Sequence, residues 1–360
     1  MKNRVDLARF FYAFFLIFIP LKSTKIYIMD QYSKSNNGFS RRKFIGSAAA
    51  IAAGISVSPN VLADSLSGSG KPDSRFKGVQ IGAITYSWRS MPSTAQDILN
   101  YCVESGISSI ELMGNVAEEY AGIPPLPPRP ARDASETERA AYQRDADMAK
   151  ETQREWRLSA SMNKYQELRK LFNKAGINIH IVKFAPANWT SEEIDYAFNA
   201  AKVLGAKGIT NEIGHEACAR LGKFAEKHNM YAIYHNHAQP GEPGFSFDEF
   251  LDYSPRNMLN FDVGHYFGAT GKHPNEVIER LHSRIFSIHL KDKTGKDASP
   301  ANTNMPWGEG DTPIDEILKL IQKNKWPIYC DIELEYPVPE SSNAQKEIIK
   351  CVEYCRNILV

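Results

Sequence analysis

Four short apolar runs late in the chain each end in groups able to bind a metal or carry a proton. They are YAIYHNH (231–237), LNFDVGH (259–265), FSIHLKD (286–292) and IYCDIELE (328–335). One strand ending in a polar residue is ordinary. Four in succession, separated by helix-length stretches, predict parallel strands delivering their last side chains to one rim, where (β/α) barrels carry their chemistry. Further candidate strands lie upstream, giving a set at 79–84, 108–113, 177–184, 207–213, 231–236, 258–263, 285–290 and 328–334. Helical stretches fall between them at 94–104, 162–175, 192–204, 216–228, 274–282 and 314–323, with a last helix near 343–359. The alternation predicts an α/β chain folded as a single (β/α)8 TIM barrel over 78–360. A doubly wound open sheet is the alternative, weakened because no glycine-rich phosphate loop follows the first strand.

Composition excludes several classes. The 360 residues carry a formal net charge of +1 and are 42% hydrophobic and 24% charged, as in a globular protein with a large core. That balance, with no basic stripe, gives no electrostatic footprint for nucleic acid. Five cysteines, an odd number without CxxC spacing, indicate neither a disulfide framework nor a zinc knuckle. Cys351 and Cys355 are spaced to share one helix face.

The N-terminal region reads differently. In FSRRKFIGSAAAIAAGISVSPNVLA (39–63), paired arginines precede an Ala- and Gly-rich run, with Val61 and Ala63 at cleavage positions. This segment resembles a twin-arginine export signal: Ser40, Arg41, Arg42, Phe44 and Ile45 match the pattern, and Gly46 replaces the frequent lysine. Its apolar run is too short and weak to span a membrane. A basic amphipathic helix is the other reading. A second apolar run at 10–21 also falls short of the ~20 residues of a spanning helix, and Met29 just after it is the expected translation start. The expected organisation is an extension and signal over 1–63, a Ser/Gly-rich linker over 64–77, and the barrel over 78–360. Export to the periplasm, without stable membrane insertion after cleavage, follows from the signal. An insertion over 121–161 opens with IPPLPPRP and continues as a charged stretch through Trp156, predicting an extended entry and a solvent-facing helix. It reads equally as a lid or homo-oligomer contact and as a solvated decoration.

Side chains alternate across a strand, so parity sorts barrel interior from the helix-facing side. In the last strand Ile328, Cys330, Ile332 and Leu334 share the helix face, and Asp331, Glu333 and Glu335 share the other. Carboxylates aimed into a barrel repel one another and lose hydration unless a cation or donors meet them. The same sorting groups His235 with His237, Asp262 with Asn260, and His289 with Ser287, and it turns Glu111 and Glu212 inward. His180 and Lys183 have opposite parity, so at most one is expected inside. A lone histidine at a strand end is more often scaffold than ligand. Asp262, His289 and Glu333 at one rim instead form part of a donor set suited to Mn, Co, Zn or Mg.

These strand ends resemble the xylose isomerase-like barrel superfamily, through DVGH (Asp262 to His265), HLKD (His289 to Asp292) and IELE (Ile332 to Glu335). The resemblance covers roughly Val79 to the C-terminus and implies one divalent metal held by Glu, Asp, His and Glu from the fifth to eighth strands. Asp262, His289 and Glu333 match three of those positions, with Glu335 able to stand in for Glu333. His235, with His237 beside it, replaces the fifth-strand glutamate. A GEGD segment (Gly308 to Asp311) follows Trp307, whose ring is placed to stack on a sugar; a structural turn is an equal reading. The family's DNA-repair branch is disfavoured by missing histidines and neutral charge.

The implied chemistry is proton transfer next to a carbonyl of a carbohydrate substrate. The metal ligands expected are His235, Asp262, His289 and Glu333. Acid/base candidates are Glu212, His237 and His265, and substrate contacts are Glu111, Lys183, Lys291 and Trp307. The outcome expected is aldose–ketose isomerisation or epimerisation. The alternatives are an exported lyase or hydrolase of 3-keto-glycosides using the same enediolate chemistry, and a non-catalytic sugar-binding barrel.

Overall fold

In the computed structural model, which describes residues 70–360, strands and helices alternate along the chain. The export-signal reading and the first linker residues lie outside the described residues. Runs rich in β-branched and aromatic residues form eight parallel strands: β1 (Val79–Ile84), β2 (Ser109–Met113), β3 (Asn178–Lys183), β4 (Gly208–Glu212), β5 (Tyr231–His235), β6 (Asn257–Asp262), β7 (Ile285–Leu290) and β8 (Tyr329–Ile332). The helices are α1 (Ala95–Ser105), α2 (Gly114–Ala121), α3 (Glu136–Ser159), α4 (Asn163–Ala175), α5 (Ser191–Leu204), α6 (His215–His228), α7 (Phe247–Leu251), α8 (Val263–Thr270), α9 (Asn275–Leu281), α10 (Ile314–Asn324) and α11 (Ala344–Leu359). Each strand pairs with its sequence neighbours, and β8 and β2 both pair with β1, closing the (β/α)8 TIM barrel. Three helices start on capping boxes, Thr94 with Asp97, Ser135 with Glu138 and Thr190 with Glu193, each contributing about 1 kcal/mol. The apolar core lies between barrel and helices, where Ile110, Phe261, Ile288 and Ile332 meet Leu99, Phe198, Ile317 and Val352.

Two departures from the sequence reading concern backbone pairing. The barrel begins before residue 78: Arg75–Phe76 pairs antiparallel with Val79 and Gln80, and Ser74 is buried with its hydroxyl donating to the Ile81 carbonyl. The end of the expected linker therefore belongs to the barrel floor, because hydrogen bonding to β1 fixes it there. Strict alternation also fails twice. The β2–β3 register passes from Ile110↔Ile179 to Glu111↔Ile181 and skips His180, and the β6–β7 register passes from Leu259↔Ile285 to Asn260↔Ser287 and skips Phe286. Such β-bulges reset the parity of the residues that follow. As a result His180 and Lys183 both face the interior, which corrects the expectation that at most one does.

The insertion after β2 follows the short helix α2, which the sequence reading did not separate from it. It runs as an extended stretch and then the 24-residue α3, in which Ala146 is the one buried residue. α3 lies on the barrel's flank. Arg157 pairs with Glu118 of α2 at 2.7 Å and Glu193 of α5 at 3.2 Å, and its guanidinium lies 4.0 Å from the centre of the Trp189 ring. All five cysteines are buried and free. Among the described residues no helix is long and apolar enough to cross a membrane.

Candidate metal centre

Polar side chains climb the barrel interior in layers. Near the floor, the bulged His180 accepts or donates at both ring nitrogens, Nδ1 to Ser109 Oγ and Nε2 to Asp331 Oδ2, each at 2.9 Å. Its ring stacks on Tyr329 at 4.1 Å and 3°. Asp331 has room because β1 carries glycine opposite it: a Cβ on Gly82 would stand 2.1 Å from Asp331 Oδ1.

One layer higher, Glu111 is fully buried. Its Oε1 accepts from Thr210 Oγ1 at 2.6 Å, and its Oε2 meets Asn260 Nδ2 at 2.9 Å and His289 Nε2 at 2.7 Å. The other nitrogen of His289 faces Glu333 Oε2 at 2.9 Å. Burial disfavours charge on His289, but the two flanking carboxylates outweigh it and hold the imidazole well above its ordinary pKa of 6.5. Ser287 donates to Asn260 Oδ1 at 3.0 Å, which fixes the amide between Glu111 and His289.

At the mouth, β5 to β8 bring His235, Asp262, His289 and Glu333 together, with one donor atom from each lying within 4.8 Å of the others. All four are buried. Asp262 serves two ends. Its Oδ1 accepts from the His265 backbone N–H at 2.7 Å and caps α8, while Asn236 clamps its backbone, leaving Oδ2 turned toward the cluster. The Lys291 ammonium sits 2.8 Å from Asp262 Oδ2, 2.7 Å from Glu333 Oε2 and 2.6 Å from Glu335 Oε2. Burial opposes its charge, and these three carboxylates more than restore it, holding Lys291 above its ordinary range. The same ammonium and His289 keep Glu333 ionised well below the ordinary carboxylate range despite its burial. Gly264 makes this arrangement possible, since a Cβ there would meet Lys291 Cγ at 2.3 Å and its carbonyl oxygen at 2.7 Å.

Around the rim, Glu212 pairs with Lys183 and with His237, both at 2.9 Å. Burial disfavours the Glu212 anion, but His237 and Lys183 prevail and draw its pKa down to about 2. The Glu212 hydrogen bond raises His237 in return. His265 Nε2 lies 3.5 Å from Glu335 Oε2, and His265 and His237 have ring centres 4.9 Å apart. Burial pulls His235 well below 6.5, and the charges of His289 and Lys183 add to that effect, so its imidazole is neutral at neutral pH. Of the buried atoms around this mouth, His235 Nδ1 has no hydrogen-bond partner, whereas Glu212 Oε2, Asp262 Oδ2 and His265 Nε2 are held only by their ion-pair contacts with His237, Lys291 and Glu335.

The structure thus gathers all four expected metal ligands and sets Glu212, His237 and His265 beside them. Three expected substrate contacts are placed otherwise. Glu111 is sealed below the mouth with both oxygens engaged, so it positions His289 and does not reach a substrate. Lys291 is 2% exposed and fully committed to carboxylates, an internal counter-ion. Trp307 packs edge-on to Tyr354 and lines a separate cavity of 360 Å³ with Tyr336 and Glu347, because Asp292 pins the GEGD loop there through the backbone N–H groups of Gly308 and Gly310. Lys183 does face the mouth. The sequence reading missed Asn236 and the role of Gly264; DVGH signals the second, and nothing local signals the first.

A closed barrel with imidazoles and carboxylates converging at the strands' C-terminal ends defines a (β/α)8 protein with its site at the expected rim. A family model described as xylose isomerase-like TIM barrel matches residues 99–356, and the chain belongs to that family. An inosose dehydratase of Clostridium botulinum (strain Eklund 17B / Type B) is 26% identical over 153 residues, covering 38% of this chain and 51% of that protein. The chain therefore spans about half the length of the curated relatives it matches. Among solved structures, a sugar phosphate isomerase/epimerase from Parabacteroides distasonis superposes with a TM-score of 0.52 at 16% identity, covering 82% of this chain and 97% of that one. The IOLI protein with a bound zinc atom superposes with a TM-score of 0.53 at 14% identity, covering 78% and 99%. These likenesses establish the fold.

The residues at the mouth fit a divalent cation. Two imidazoles and two carboxylates form a usual donor set for Zn or Co, and the unpartnered His235 Nδ1 leaves donor capacity unspent.

Proposed function

We propose that this protein is a metal-dependent enzyme that moves a proton next to the carbonyl of a sugar or keto-sugar, acting as an isomerase or epimerase. The observation that carries the reading is the convergence of His235, Asp262, His289 and Glu333 from four consecutive strands, with acid/base groups beside them. These four would hold the ion, and the chemistry it supplies when bound is polarisation of the substrate's carbonyl and adjoining hydroxyl. Glu212 stays ionised at neutral pH, and exchanging its His237 contact for the substrate would let Oε2 take a proton from carbon. His237 retains a proton above the ordinary histidine range and returns it. His265, backed by Glu335, is the second exchangeable site on the neighbouring wall. Lys183 orients Glu212 and offers a donor to substrate hydroxyls.

A second reading is elimination, in which the same carbanion expels a group on the next carbon. The inosose dehydratase relatives favour it. It takes 3-keto-glycosides as substrates if the enzyme is exported, as the twin-arginine-like segment around Arg41 and Arg42 proposes. Cell fractionation of wild type and an R41K/R42K variant tests export; retention of both in the cytoplasm would refute it. A carbohydrate-binding barrel without catalysis is the remaining alternative. Incubation of the metal-loaded protein with free sugars and keto-glycosides in deuterated water tests the chemistry. Carbon-bound deuterium without aglycone release supports isomerase or epimerase, and aglycone release supports the lyase. Metal-loaded protein that exchanges no carbon-bound proton in any substrate is a binding module instead.

A further inference from the structure

We infer that His235 makes this centre selective for cations that favour imidazole, zinc and cobalt, over manganese and magnesium, an inference that rests on the metal-dependent reading above. His235 is 1% exposed and sits between His289, 4.7 Å away by ring centres, and His237, 4.8 Å away. Its Nε2 is 3.8 Å from Asp262 Oδ2, too far for a hydrogen bond, and its Nδ1 is buried with no partner. A histidine kept for scaffold is satisfied, as His180 is through Ser109 and Asp331. Leaving a buried polar atom without a partner is costly, and a sealed barrel interior retains one only where something else takes up the lone pair.

The donor inventory then decides the metal. Asp262, Glu333 and waters alone would suit hard oxygen-seeking cations, and His289 is already shared between two carboxylates. Adding a second imidazole from His235 shifts the set toward Zn and Co, whose affinity grows with nitrogen donors, while Mn and Mg gain little.

The test uses the full-length protein stripped with a chelator and the variants H235E and H235A. Dissociation constants for Zn, Co and Mn are measured by competition with a chromophoric chelator, and the visible spectrum of the Co(II) form is recorded. Expected is a fall of about tenfold or more in the Zn:Mn affinity ratio of H235E, one factor of ten per 1.4 kcal/mol, with a changed Co(II) spectrum. Should H235E fold poorly, H235A titrated with free imidazole replaces it, and recovery of Zn affinity with imidazole is expected. An unchanged ratio in folded H235E, or Zn affinity in H235A equal to wild type and indifferent to imidazole, overturns the selectivity and leaves the metal centre standing. Failure of wild type to bind any of the three ions overturns the metal-dependent function itself.

Discussion

The barrel holds two buried histidine–carboxylate clusters, one near its floor and one at its mouth, and they are finished to different degrees. At the floor His180 is bonded at both nitrogens and stacked on Tyr329, and Asp331 Oδ1 is the one side-chain atom of that cluster left over. At the mouth, His235 Nδ1 is unpartnered, Glu212 Oε2, Asp262 Oδ2 and His265 Nε2 are held by ion-pair contacts alone, and one ammonium serves three carboxylates. Residue types are alike in the two places. What separates them is hydrogen-bond saturation: a closed network specifies a core, and an open one keeps donor capacity for a ligand.

Substitutions at each level should therefore fail differently. At the mouth, D262N keeps an oxygen to cap α8 but loses the charge, and deuterium exchange into substrate should fall about 10³-fold or more while metal retention is lost. Activity and metal content near wild type in D262N would break the distinction. At the floor, H180A leaves Asp331 Oδ2 buried without its hydrogen-bond partner and should cost about 1–3 kcal/mol, read by denaturant or thermal unfolding. Activity per folded molecule and metal content should stay unchanged. The double variant H180F/D331L removes both partners and should regain most of that stability, because no unsatisfied buried polar group remains between them. Loss of metal in H180A would join the floor to the site.

G264A sharpens the comparison from the side of backbone clearance. A methyl group there meets Lys291 Cγ at 2.3 Å, so the counter-ion must shift away from Asp262 and Glu333. Overpacking of this kind costs about 1–3 kcal/mol. Activity should drop along with it, whereas a comparable strain at the floor would lower stability alone; unfolding curves paired with the exchange assay distinguish the two.

The same contrast explains what the sequence made legible. The alternation of β8, which has no bulge and carries on past its end at Ile332, placed Asp331, Glu333 and Glu335 inward, and the apolar–polar switch at each strand end located the mouth. His180 and Phe286 were unreadable: each is the extra residue of a bulge, and a bulge depends on pairing with a strand distant in sequence. Lys291 looked like a substrate contact because parity turns it inward, yet parity does not reveal that three carboxylates already enclose it. Trp307 lies on a loop whose direction is set by Asp292, a tertiary tie that spacing alone does not encode.

The smallest expected effect concerns the rim pair, Glu212 with His237, which belongs to neither closed network. Both side chains are partly exposed, 43% and 49%, and solvent screening holds the pair's contribution below about 1 kcal/mol. Its pH dependence has a definite sign. His237 is raised by Glu212, so its contribution is complete below its ordinary value of 6.5 and is lost as pH rises through the raised value. Glu212 is lowered to about 2, so its contribution is complete above its ordinary value of 4.5 and is lost as pH falls toward 2. The pair therefore stabilises most between pH 4.5 and 6.5. E212Q should flatten both flanks of the thermal-stability profile, and its difference from wild type should be largest inside that window. A difference that grows above pH 8 would mean that His237 is held by something other than Glu212, and the acid/base assignment at the mouth would need another proton donor.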